Sequence, residues 1–136
     1  MKIVLDTNIL LVSISRRSQT NWIFQMLLDE EIVLCVTTDI LLEYEEMIAL
    51  HMSQRLAEET LGVLLSLPNV ERIEKYFYFD LIPNDADDNK FVDCAIASGA
   101  DFIVSEDRAF NILKSIPFPK VACLTLSEFS DLFEFT

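Results

Sequence analysis

Apolar residues along this chain fall into two alternating patterns. Short uninterrupted runs at Lys2 to Leu5, Ile32 to Val36, Phe102 to Val104 and Val121 to Leu124, with a weaker one at Val70 to Ile73, are rich in Val, Ile and Leu and read as strands. Between them, apolar positions recur every three or four residues over Trp22 to Leu28, Thr38 to His51, Gln54 to Leu65, Ala86 to Ser98, Arg108 to Leu113 and Leu126 to Phe133, and these read as helices.

Strands that alternate with helices predict an α/β fold: a central parallel sheet of four to five strands, covered by helices in a three-layer, Rossmann-like arrangement. Parallel neighbours need crossover connections, and the crossovers bury both faces of the sheet. In such sheets the carboxyl ends of the strands and the amino ends of the following helices share one edge, where ligands bind. The stretch Glu74 to Asp85, which includes Tyr76, Phe77, Tyr78 and Phe79, fits neither pattern and reads as an extended segment or an irregular connection.

A chain of 136 residues that is 51% hydrophobic, with 2 Gly and 4 Pro, is expected to form one domain spanning 1–136 without a flexible linker. Its net charge of −13 weighs against binding nucleic acid through general electrostatics, which depends on Lys and Arg displacing phosphate counterions. That objection weakens if several acids share a metal site, because a divalent ion reverses the charge a phosphate meets. No run is long and apolar enough to span a bilayer, and no basic stretch followed by an apolar core opens the sequence, so the expectation is a cytoplasmic protein. Cys35, Cys94 and Cys123 form no CxxC pair and each lies in an apolar run, which suits packed free thiols.

Four acids occupy positions that packing does not require. Asp6 directly follows the first apolar run and is followed by Thr7 and Asn8; alone it also reads as a helix N-cap. Glu43 falls on the apolar stripe Ile40, Tyr44, Met47, Ile48 of its helix, whereas Glu45 and Glu46 are expected to be exposed. A carboxylate on an inward stripe must be paired, neutralised or bound to a cation, and the neighbouring sequence offers no base. Asp88 lies one turn ahead of the inward stripe Phe91, Val92, Ala95, Ile96, where it also suits a helix N-terminus. Asp85, Asp87 and Asp93 are expected to be solvated or to stand behind it. Asp107 follows the Phe102 to Val104 run, with Ser105 two residues before it, and either could cap the next helix. Four acids from four separate segments, all expected at one edge, suggest a shared crevice.

On these residues the chain resembles the PIN-domain ribonucleases, and in particular the branch formed by toxins of toxin–antitoxin systems. The resemblance runs through DTNILL at the start, ILLEYEEMI in the second predicted helix, and DADDNKFVDCAIASGADFIVSED from Asp85 to Asp107. It implies that Asp6, Glu43, Asp88 and Asp107 are the catalytic, metal-binding acids, with Asn8 and Ser105 as supporting polar groups. Two positions depart from the pattern: Ser105 stands where such proteins more often have Thr, and Glu106 where this branch more often has Gly. The hydroxyl survives the first change, and the second adds a negative charge beside the pocket.

The implied activity is endonucleolytic hydrolysis of RNA phosphodiester bonds, leaving 5′-phosphate and 3′-hydroxyl ends, with one or two Mg²⁺ or Mn²⁺ ions as cofactors. Hard carboxylate ligands and the lack of CxxC or HxxxH clusters favour these ions over zinc. Arg16, Arg17, Lys90 and Arg108 are the candidate contacts to RNA phosphates, and His51, late on its helix, is not expected to act as a base. The implied partners are an RNA substrate, a small DNA-binding antitoxin and a second copy of the chain, with no membrane. The alternative class is a non-catalytic PIN-like module that binds RNA or protein for regulation. A phosphotransfer domain accepting on Asp6 fits less well, since Asn8 stands where a second acid is expected and Lys120 precedes its strand.

Overall fold

A computed structural model describes residues 1–74, 77–83 and 86–133. Strands β1 (Lys2–Leu5), β2 (Val33–Val36), β3 (Val70–Arg72), β4 (Phe102–Val104) and β5 (Cys123–Leu124) form one sheet in the order β3-β2-β1-β4-β5. Every pairing is parallel, with Ile3 opposite both Leu34 and Phe102, and Leu5 opposite Val104. Helices cover both sides of the sheet, as the alternating pattern predicts. The central strands are apolar because both their faces are packed: Ile3, Val4, Leu34, Cys35, Val36, Ile103 and Val104 are wholly buried.

Helices α2 (Asn21–Leu28), α3 (Thr38–His51), α4 (Gln54–Ser66), α5 (Ala86–Ser98) and α6 (Leu126–Asp131), with a 3₁₀ helix at Arg108–Ser115, lie where helical spacing predicts, within a few residues. An additional helix, α1 (Thr7–Ser13), follows β1. Its sequence TNILLVS is apolar nearly throughout and carries β-branched residues, so it shows no polar face. Tertiary packing of Ile9, Leu10 and Leu11 holds it helical, and Asp6 caps it. The cysteines are free, with Cys35 and Cys94 buried.

The chain winds from β1 outward to β3, then returns to place β4 on the other side of β1. Two neighbouring strands thus lead their crossovers in opposite directions, and a crevice opens between their carboxyl ends. β1 ends at Leu5 and β4 at Val104, so Asp6 and Ser105 are the first residues beyond that edge.

Between β3 and α5, the described residues 77–83 carry no regular element, while Tyr76 and Asp85 of the hard-to-assign stretch lie outside the described residues. Two side chains of α5 pin this connection. Asn89 accepts from the Ile82 amide at 2.9 Å and donates to the Ile82 carbonyl at 2.7 Å, and Asp93 accepts from the Phe79 amide at 3.1 Å. Asp93 is 2% exposed, so of the two places its spacing allows, in solvent or behind the site acids, solvent is excluded. A connection without secondary structure must satisfy its backbone elsewhere, and residues four apart on one helix face supply that here. Helix α5 ends at Gly99, whose φ of 68° turns the chain back toward β4 without the strain a side chain would add. Among the described residues, no helix is long and apolar enough to cross a membrane.

Candidate active site

Asp6, Asn8, Glu43, Asp88 and Asp107 line a single cavity of about 260 Å³, together with Thr7, Met47, Asp87 and Phe91. They reach it from the end of β1, the first turn of α1, the second turn of α3, the first turn of α5 and the residue that caps the 3₁₀ helix. A larger cleft of about 450 Å³ lies against Thr37, Thr38, Asp39, Leu42, Ile73, Glu74 and Tyr78. The smaller cavity carries the denser set of acids, and chemistry rather than size singles it out.

Asp6 is the most buried of the four acids, 7% exposed. Its backbone amide still donates to the Val104 carbonyl at 3.1 Å, extending the β1–β4 ladder by one step. Its Oδ1 accepts from the Thr7 amide at 2.8 Å and its Oδ2 from the Ser105 hydroxyl at 2.7 Å. Asp6 is therefore an N-cap and a lining acid at once. Burial pushes its carboxyl above the usual range; the two hydrogen bonds oppose this, and the charges of Asp107 and Glu43 add to it.

Glu43 is set by its neighbour. Tyr44 is wholly buried, and its hydroxyl donates to the Leu5 carbonyl at 2.6 Å, which ties α3 to the last residue of β1. Desolvation holds the Tyr44 phenol well above its ordinary pKa, so it stays a donor. The sequence pattern marks Tyr44 only as apolar stripe; a hydroxyl on that stripe is the signal that it needs a partner. Glu45 is half-buried rather than exposed, and Glu46 is exposed. Glu43 itself has a base after all: Lys90 Nζ lies 2.6 Å from its Oε1, and Thr7 donates its hydroxyl to Oε2. The base belongs to α5, 47 residues away, where no reading of α3 could find it.

Asp88 is 9% exposed, whereas Asp87 is open to solvent, 3.7 Å from Lys90, and still borders the cavity. Asp107 is exposed; its Oδ1 accepts from the Ala109 amide at 2.9 Å, and its own amide donates to Ser105 Oγ at 2.9 Å. Ser105 thus bridges Asp6 to the Asp107 backbone while 3% exposed. Glu106 turns away: its Oε1 accepts from the Leu126 amide at 2.6 Å, and with Arg108 and Lys114 it lines a neighbouring cavity of about 230 Å³. Arg16 and Arg17 are exposed beyond α1 and do not line the acid-rich cavity.

The four carboxylates offer eight hard oxygens, the donor chemistry of Mg²⁺ or Mn²⁺. Among the described residues, no three His, Cys, Asp or Glu side chains already stand close enough to grip one ion. Asp6, Glu43 and Asp107 are each turned toward their own local donors. The burial of Asp6 among like charges is nonetheless the arrangement that a cation relieves.

A family model described as PIN domain matches residues 2–109. The chain belongs to the PIN-domain family. Its fold is also that of solved chains of low identity. A chain of VapBC2 from Rickettsia felis bound to a DNA fragment from its promoter superposes with a TM-score of 0.64 at 18% identity, covering 92% of this chain and 98% of that one. A chain of VapBC-1 from nontypeable Haemophilus influenzae gives 0.62 at 13% identity, covering 93% and 99%. FitAB bound to an IR36 DNA fragment gives 0.60 at 15%, covering 90% and 94%. No curated protein matches the chain. Within the PIN fold, the strand ends bearing Asp6 and Ser105 and the first turn of α5 bearing Asp88 all fall inside the matched span, as does Asp107.

Proposed function

We propose that this PIN domain is a metal-dependent endoribonuclease, acting as the toxin of a toxin–antitoxin pair. The observation that carries the reading is the convergence of Asp6, Glu43, Asp88 and Asp107, from four separate segments, on one cavity at the switch point of the sheet. Four unrelated helix caps would have no reason to share a cavity.

The acids would hold one or two Mg²⁺ or Mn²⁺ ions. The chemistry that such an ion supplies when bound is neutralisation of the phosphate charge and acidification of a water. The chain's own residues do the rest. Ser105 and the Thr7 amide fix the Asp6 carboxylate and favour its charged form against burial. Tyr44 fixes the register of α3 and so the approach of Glu43. Asn8, exposed at the rim, offers an amide to a phosphate or sugar oxygen. Lys90 balances Glu43, and Arg108 and Lys114 offer positive charge beside the cavity; Arg16 and Arg17, farther off, would meet only a longer RNA.

The toxin assignment draws on the VapBC and FitAB complexes whose fold this chain shares, two of them bound to DNA. A small DNA-binding antitoxin that covers the acidic cavity, and a homodimer, belong to the same proposal, as does a cytoplasmic location. The test is cleavage of single-stranded RNA by the purified chain with Mn²⁺, followed by end analysis for 5′-phosphate and 3′-hydroxyl. Activity that disappears in Asp6→Asn and Asp107→Asn supports the reading. RNA binding without cleavage in any divalent metal favours the non-catalytic module instead.

A further inference from the structure

The 3₁₀ helix Arg108–Ser115 begins directly after Asp107, which lines the acid-rich cavity. Such a helix has about 3.0 residues per turn, so side chains three apart eclipse one another along one face. Phe110 and Leu113 form the buried row that holds the helix to the core. Arg108, Asn111 and Lys114 form a second row, and all three are exposed. With a rise of about 2 Å per residue, that row advances about 6 Å at each step. It carries an N–H donor at every step: a guanidinium, an amide and an ammonium.

All three side chains line the cavity of about 230 Å³, which shares Asp107 with the acid-rich one. Two further acids line it, and each has one oxygen committed elsewhere: Glu106 Oε1 accepts from the Leu126 amide, and Glu128 Oε1 from the Thr125 amide. Hydrogen bonds from Thr125, and then the charge of Lys114, hold the Glu128 carboxyl below its ordinary range. Among the described residues, neither Arg108 nor Lys114 is in an ion pair.

We propose that the row Arg108, Asn111, Lys114 is a phosphate track for the RNA strand where it leaves the acid-rich cavity. For its substrate the track rests on the ribonuclease reading above, and it extends that reading from the reacting phosphate to its neighbours. Arg108, next to Asp107, takes the first phosphate beyond the scissile one through its planar fork. Lys114, two turns on, takes a second as a point charge, and Asn111 donates between them. A chain of net charge −13 cannot gather RNA by its overall field, so its hold on the strand must come from local donors such as these. Contacts to phosphate carry no base information, so binding along the row is blind to sequence.

The test uses the full chain with MnCl₂ and an end-labelled single-stranded RNA while KCl is varied. If the wild type cuts, kcat and KM are followed; if it does not, the intact RNA is titrated in the same buffer by fluorescence anisotropy. Arg108→Gln and Lys114→Gln, each checked for folding by circular dichroism, are expected to raise KM several-fold with little change in kcat, equally on oligo-A, oligo-C and oligo-U. Each should also flatten the dependence of log(kcat/KM) on log[KCl] by about 0.7, the slope carried by one phosphate of a single strand. Arg108→Lys keeps the charge and should recover most of that slope, and Lys120→Gln, off the row, should change neither quantity. A folded Arg108→Gln or Lys114→Gln that cuts with the wild-type KM and slope overturns the track and leaves the nuclease reading standing. RNA that is bound but never cut, with the same loss of slope in both variants, overturns the nuclease reading and leaves the track. A wild type that neither binds nor cuts RNA overturns both.

Discussion

The Ser105 hydroxyl donates to Asp6 Oδ2 at 2.7 Å across a sequence separation of 99 residues, joining the ends of β1 and β4 beneath the acidic cavity. The same oxygen accepts from the Asp107 amide at 2.9 Å, so one hydroxyl sets the spacing of two lining acids. Ser105→Ala removes a donor that lowers the Asp6 pKa, and that pKa should rise further. The acid limb of the pH–rate profile should therefore move to higher pH in Ser105→Ala and stay in place in Ser105→Thr. Stability should fall by about 1 kcal/mol for the lost hydrogen bond, read from urea unfolding.

Asp6 makes a second prediction about pH. Its folded pKa is raised above 3.8, chiefly by burial, so the metal-free native state binds this proton more readily than the unfolded chain. Stability from this group must fall as pH rises from 3.8 through the folded pKa, because the native state is then forced to ionise in a buried place. Without metal, Asp6→Asn should unfold at a higher denaturant concentration than wild type at neutral pH, and the difference should shrink on acidification. Adding Mn²⁺ should stabilise the wild type and not the variant. A wild type that loses stability relative to Asp6→Asn as pH falls would contradict the burial argument.

Tyr44→Phe keeps the ring and removes the donor to the Leu5 carbonyl. A buried acceptor left without its partner costs about 1–3 kcal/mol, which chemical denaturation would register. The tie also sets how Glu43 meets Lys90, so the loss of RNA cleavage should exceed what the unfolded fraction accounts for.

Glu106 tests how far the charge at the rim matters. Its carboxylate accepts from the Leu126 amide, and a glutamine can keep that bond through its amide oxygen. Glu106→Gln should leave the melting temperature nearly unchanged and tighten RNA binding a few-fold at low salt. The gain should vanish near 1 M salt, where the screening length is about 3 Å.

The strands were legible because the central ones carry side chains buried on both faces, which leaves an unbroken apolar run such as Ile3-Val4-Leu5. Helix α1 was not, because the same all-round burial erases the polar stripe that marks a helix. The acids stood out where they interrupted an expectation, as Glu43 does on the Ile40–Tyr44 stripe. Their partners were hidden by distance: Lys90 for Glu43, Ser105 for Asp6. For Asp93 the solvated alternative fails, because one partner is a backbone amide in a connection with no pattern of its own.

Asn89 and Asp93 hold the connection to α5, while Asp88 and Lys90, on the same short rod, serve the cavity and Glu43. A single rigid body therefore answers to two masters. Any loss of turnover caused by altering that helix can be credited to chemistry only after hydrogen exchange at the Phe79 and Ile82 amides shows that the latch has stayed shut.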